Sequence, residues 1–214
     1  MMRILTTTVL TLAVAAPAAA SSRLQSFSAS HPAAAVHSVA VAAGVGSVEI
    51  QSYAGDEIVI EVDVVARRFG GRTDRRSQRM LDELELQAEV RGGVLNLRLL
   101  PEQRGRREFN EEWVVKLPAE IAVSAALGVG DVRILDMTGD VEVKLGVGDV
   151  SIEGEYAAVG PIRANCGVGN AQVRTPEGRE RASGFIAKDL ATSGRGESSL
   201  RVSVGVGDVS IRLR

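Results

Sequence analysis

The chain has 214 residues, 45% of them apolar and 24% charged, with a formal net charge of −2. That balance excludes disorder as the main state and a domain-wide basic surface for nucleic acid. Glycine is frequent, at 23, aromatic residues make up only 3%, and Cys166 is the one cysteine, so neither an intramolecular disulfide nor a cysteine-built zinc centre is available.

Residues 1–20 begin with one positive charge, Arg3, run through an apolar stretch and end in Ala18-Ala19-Ala20 before Ser21. A charged start, a short apolar run and an A-x-A ending are the features of a secretory signal peptide. No later segment reaches the ~18 consecutive apolar residues of a membrane helix. The expectation is an exported protein, periplasmic, extracellular or at the cell surface, with no membrane span in its mature form. Residues 21–35 are small and polar and read as a flexible lead-in.

From 36 to 118 the pattern is of N-terminal strands and a hairpin. Residues 57–64 (EIVIEVDV) and 84–90 (LELQAEV) alternate polar with apolar, Arg91-Gly92-Gly93 is a turn, and 94–100 (VLNLRLL) returns. A further strand, 113–117, stops at Pro118. The stretches 67–79 and 101–112 are polar and read as exposed connections, with a short helix near 73–83 in the first. His37 lies on an alternating strand with Val39 and Val41 and reads as a strand residue.

Residues 119–214 are dominated by a repeat. Gly-Val-Gly occurs at 44–46, 128–130, 146–148, 167–169 and 205–207, continuing as GVGSVEI, GVGDVRI, GVGDVSI, GVGNAQV and GVGDVSI. The starts at 128, 146, 167 and 205 imply a unit of about 19 residues, with one decayed unit near 183–184 inside the 38-residue gap. Each unit divides in two: Gly130, Gly139 and Gly148 are nine apart, and each is followed by Asp and Val. A Gly-centred turn followed by about five alternating residues is a strand with one buried face, and such units bury that face only by stacking. The expected fold is all-β, a right-handed parallel β-helix or solenoid-like stack of two-strand units, with the repeat turns at Gly44, Gly46, Gly128, Gly130, Gly139, Gly146, Gly148, Gly167, Gly169, Gly205 and Gly207.

An exported N-terminus, the early strand with Gly46-Ser47-Val48-Glu49-Ile50, the hairpin ending in Gly93-Val94-Leu95-Asn96-Leu97, the strand closing in Leu117-Pro118 and the serial Gly-Asp-Val units resemble the DUF4097 family. Its members are toastrack-type β-solenoids of bacterial envelope proteins, called adhesins by analogy. The resemblance covers roughly residues 36–214. It implies a parallel β-helix-like fold at the envelope or surface and no catalytic residues, and it carries no functional residue over to this chain.

Asp131, Asp140, Asp149 and Asp208 are the weak calcium candidates, since calcium favours carboxylates converging from turns. In the nine-residue calcium-binding solenoids the carboxylate stands two positions away from where G-V-G-D-V puts it, and Asp caps turns on its own account. Turn capping is the simpler reading, and neither a metal nor another cofactor is expected. The glycines are no phosphate cradle, because each turn leads into a strand and no helix follows. Two basic clusters, Arg67, Arg68, Arg72, Arg75, Arg76 and Arg79, then Arg104, Arg106 and Arg107, could bind an anionic lipid or glycan; solvated loops are the plainer account. An uncapped last strand (VSIRLR) reads as an open edge through which copies could assemble. The functional expectation is a non-enzymatic binding or scaffold module of the cell envelope, engaging a protein, glycan or lipid component. Self-assembly through the last strand is the alternative, and a polysaccharide-active β-helix enzyme is more distant.

Overall fold

The computed structural model describes residues 24–66, 75–100, 109–184 and 188–214; the signal-peptide pattern at 1–20 lies outside them. Alternating apolar residues become strands almost wherever they occur, and the protein is all-β. In chain order these are β1 (Leu24–Pro32), β2 (Ser38–Ser52), β3 (Glu57–Ala66), then the one helix of the described residues, α1 (Arg75–Asp82), then β4 (Glu85–Arg91), β5 (Val94–Leu100) and β6 (Phe109–Leu117). The repeat region supplies β7 (Ala122–Leu135), β8 (Val141–Val147), β9 (Val150–Gly154), β10 (Val159–Thr175), β11 (Gly178–Gly184), β12 (Lys188–Ser193), β13 (Ser198–Val206) and β14 (Val209–Leu213).

Each repeat makes one rung with a bend at its Gly-Val-Gly. The half before the bend joins a first sheet and the half after it joins a second. The first sheet runs β4, β5, the start of β2, the start of β7, β8, β13, the start of β10, β12; the second runs β1, β3, β6, the end of β2, the end of β7, β9, β14, the end of β10, β11. Inward residues of both halves, such as Val141, Val143 and Leu145 in β8 and Val150 and Ile152 in β9, belong to one core. Filling that interior with β-branched and leucine side chains is what a narrow space between two sheets requires, and Trp113 is among its few large rings.

The rungs do not stack in chain order. β13 lies between β8 and β10, pairing Leu200 with Val141 on one side and with Ile162 on the other; β14 likewise pairs Ile211 with Ile152 and with Val173. Because β7 also pairs with both β8 and β9, the strands β7, β8, β13, β10, β14 and β9 close a ring of six parallel strands. The expected solenoid, each unit laid on the one before it, is therefore corrected: this part of the molecule is a closed parallel barrel into which the last unit is inserted. All five units carry the same turn and the same alternation, so local pattern cannot distinguish which slot a unit occupies.

Four further expectations change with it. The last strand is no open edge, since β14 is paired on both sides, so assembly through an exposed C-terminal strand loses its basis. The gap at 183–184 holds no decayed rung: β11 and β12 run antiparallel along the outside of β10 and cover that end. Residues 24–32, read as flexible, form β1 against β3, with a 3-10 turn at Ala33–Ala35 behind it. Residues 109–112, read as part of a connection, open β6. At this end β5 and β6 lie parallel to β2 and continue both sheets, while β3 and β4 run antiparallel to them.

Candidate functional site

The bends stack glycine on glycine. In spatial order the second glycines run Gly46, Gly130, Gly148, Gly207, Gly169, with φ between +132° and +144°. A Cβ placed on Gly130, Gly148, Gly207 or Gly169 would overlap the carbonyl oxygen of the glycine on the rung beside it. Only glycine allows both that backbone conformation and that approach. The valine between the glycines has nowhere to go but outward. Val129, Val147, Val206 and Val168 are 45–47% exposed and form a ridge along the bend, whereas Val45 at the end of the row is buried.

Beside the ridge runs a ladder of carboxylates. Asp149 N–H donates to Asp131 Oδ1 at 3.4 Å, Asp208 N–H to Asp149 Oδ1 at 2.9 Å, and Asn170 N–H to Asp208 Oδ1 at 2.9 Å. Asp140 works the same way on the opposite side of the first sheet, accepting from Ser199 N–H at 2.7 Å and Ser199 Oγ at 3.0 Å. All four candidate calcium ligands thus serve as caps that tie one rung to the next. Among the described residues no group of three His, Cys, Asp or Glu is placed to hold a metal ion. Gly139 belongs to this opposite side too, where its N–H donates to Ala119 O at 2.9 Å.

The end of the glycine stack is closed by a residue that alternation alone did not single out. Glu111, 1% exposed, opens β6 in register with Gly46. Its Oε2 accepts from Trp113 Nε1 at 3.0 Å and its Oε1 from Gly44 N–H at 3.4 Å. The signal that could have found it is Glu111-Glu112-Trp113, a carboxylate two residues from the one tryptophan and so on the same strand face. Cys166 is buried, with its thiol directed at Gly207 O at 3.1 Å; burial, with Asp208 nearby, pushes its pKa up, which makes it an inert packing residue.

The outer face of the first sheet carries a broad, open depression. Two neighbouring strands of this face present only short side chains, Ala40 and Ala42 on β2 and Ser124 and Ala126 on β7. Longer ones frame them, Gln87, Asn96 and Arg98 on one side and Glu142 and Lys144 on the other. Three neighbouring hollows of about 300, 760 and 370 Å³ share Ala42, Ala126, Asn165 and Ser203 and run into one another across the strands.

The basic clusters expected to bind anions are not brought together by anything described. Arg67, Arg68, Arg72, Arg104, Arg106 and Arg107 lie outside the described residues; Arg75, Arg76 and Arg79 are on α1, where Arg79 is exposed. No described helix is long and apolar enough to cross a membrane.

No family model and no curated protein matches the chain. Two solved structures are similar to it. One is a candidate cell adhesion protein from Clostridium sporogenes, 14% identical, with 90% of this chain and 100% of that one covered and a TM-score of 0.47. The other is a candidate adhesin from Bacteroides fragilis, 10% identical over 88% of this chain and 97% of that one, with a TM-score of 0.27.

Proposed function

We propose that the chain is an exported, non-catalytic binding module of the cell envelope, adhesin-like in its use, and that it works through the outer face of the first sheet. The observation that carries the reading is the shape of that face: a long open furrow floored by Ala and Ser on β2 and β7 and walled by longer polar side chains. An extended partner can lie on it without displacing anything. Two further features support the reading. The repeated carboxylates are spent on backbone N–H groups of neighbouring rungs, and residues 1–20 have the composition of an export signal.

The test fills the furrow. Ala42→Trp with Ala126→Trp changes two exposed positions and leaves the core alone. The variant is expected to keep the parent's melting temperature and to lose retention on cell envelopes isolated from the source organism. Undiminished retention by the folded variant overturns the proposal.

A further inference from the structure

Arg163 on β10 and Arg201 on β13 are cross-strand neighbours on the outer face of the first sheet. Both are exposed, and among the described residues neither side chain makes an ion pair or hydrogen bond. Like charges directly opposite one another on a sheet are destabilising. In the second sheet Arg174 likewise stands between Arg179 and Arg212, but there one of the arginines, Arg212, is met by a carboxylate, Glu153, at 3.4 Å. On the first sheet the corresponding carboxylate, Glu142, stands in register with Arg201 but is turned to Lys144, its Oε1 2.7 Å from Nζ. Among the described residues the two guanidinium groups are thus unengaged, at the edge of a hollow of about 370 Å³ that Asn165 and Ser203 also line.

We infer that Arg163 and Arg201 form an oxyanion subsite of the furrow, and that its ligand is a carboxylate-bearing polysaccharide; the inference rests on the binding face proposed above. Two arginines on neighbouring strands, whose backbones run about 4.8 Å apart, can each take a carboxylate in bidentate fashion. Lys144, on the strand beyond Arg201, is already paired with Glu142, so the two arginines are the cations this part of the trough offers. Two adjacent cations in an open trough fit a chain that carries more than one anion better than a single small anion. The trough is concave, and none of its lining residues is aromatic, so it offers a flat bilayer little contact and no interfacial anchor. Repulsion within an unengaged pair is a cost that a bound anion removes, as at sites where stability is given up for function.

The experiment titrates the purified protein with polygalacturonate, neutral dextran and phosphatidylglycerol vesicles, with melting temperature as a second readout. Polygalacturonate is expected to bind, more weakly as salt is added, and dextran not to. Arg163→Gln with Arg201→Gln is expected to weaken polygalacturonate binding at least tenfold while leaving the melting temperature unchanged or slightly higher, because the substitutions remove a repulsion. Unchanged binding by the double variant, equal binding of dextran, or binding of vesicles but not of polygalacturonate overturns the inference. A melting temperature that falls by several degrees overturns it as well, since the pair would then be structural. Envelope retention separates the two proposals: loss in the tryptophan variant with full retention in the arginine variant leaves the binding face standing and removes the oxyanion subsite.

Discussion

Asn170 donates twice to Asp208: its backbone N–H and its side-chain Nδ2 lie 2.9 and 3.0 Å from the same Oδ1. The two residues are 38 apart in the chain and neighbours in space, because the last repeat is inserted before the one that precedes it in sequence. Every rung of the ladder before Asn170 uses a carboxylate to accept from the next rung's N–H. On the rung of Asn170 the amide does what a carboxylate cannot, donating back to Asp208 and sparing it a like-charged neighbour. Asn170→Asp is therefore expected to lower stability by about 1 kcal/mol, the worth of one exposed hydrogen bond. In a domain of this size that is a fall of roughly 2–4 °C in melting temperature. The deficit should shrink on acidification through the carboxylate range. A variant as stable as the parent at neutral pH would show that the amide makes no difference.

The bend permits a sharper contrast within one tripeptide segment. At Gly207, φ is +142° and a Cβ would overlap Gly148 O; at Val206 the side chain is 46% exposed. Gly207→Ala forces the backbone of two rungs apart in the middle of the barrel, an expected loss of about 3 kcal/mol or more. Val206→Ala removes two exposed methyl groups and should stay within about 0.5 kcal/mol. Chemical denaturation of the two variants checks both. Equal effects would mean that the ridge of valines carries structure, which its exposure argues against.

How far the fold could be read from the chain depends on what kind of information each part holds. The bend at Gly148 and the strands either side of it were legible because Gly-Val-Gly-Asp and the alternation of Val150 and Ile152 are local. The capping role of Asp149 is legible only in kind, since its Oδ1 accepts from Asp208 N–H, 59 residues on, and not from its own turn. The order of rungs was not, because Ile152 and Ile211 offer the same partner to any neighbour. The cap strand at 178–184 (GRERASG) has no apolar alternation to announce it, since it lies along the outside of β10. β1 was missed similarly: it is mostly small and polar, and among residues 25–32 only Phe27 is buried. The cationic pair Arg163–Arg201 follows from the insertion itself, so no reading of either segment alone could have produced it.

A pH dependence follows from the loops next to the inserted rung. Glu177, in the turn between β10 and β11, accepts from Arg195 Nε at 3.1 Å and Nη2 at 2.7 Å. That bond, helped by one from the Tyr156 hydroxyl, holds its carboxyl below the ordinary value of 4.5. A carboxylate whose pKa is depressed by folding adds stability above its unfolded value and loses it as pH falls through the folded one. Glu177→Gln is thus expected to melt slightly below the parent at neutral pH and to converge with it below about pH 4.5. The pair is exposed, so the gap is small and narrows with salt. Melting curves from pH 7 downward would check it, and a gap that widens on acidification would contradict the assignment.

The largest test concerns the inserted unit. Residues 198–214 supply β13 and β14, each paired on both sides, so deleting them opens β8 and β9 on one flank and β10 on the other. An edge rung could be lost at the cost of its own contacts; a central one takes the closure of the barrel with it, including Leu200, Val202, Val204, Val209, Ile211 and Leu213 from the core. A chain ending at residue 197 is expected to show no cooperative unfolding transition. The vacated slot has matched register on both faces: the offset is 59 residues to β8 and β9, and 38 to β10. A separate peptide of residues 198–214 should therefore bind the shortened chain and restore the transition, while a peptide with Gly205 and Gly207 replaced by Ala should not, because the stacked carbonyls leave no room for its methyl groups. Cooperative unfolding of the shortened chain without peptide would show that the other rungs close the barrel by themselves, with β10 laid directly on β8 and β9 as chain order alone would have it.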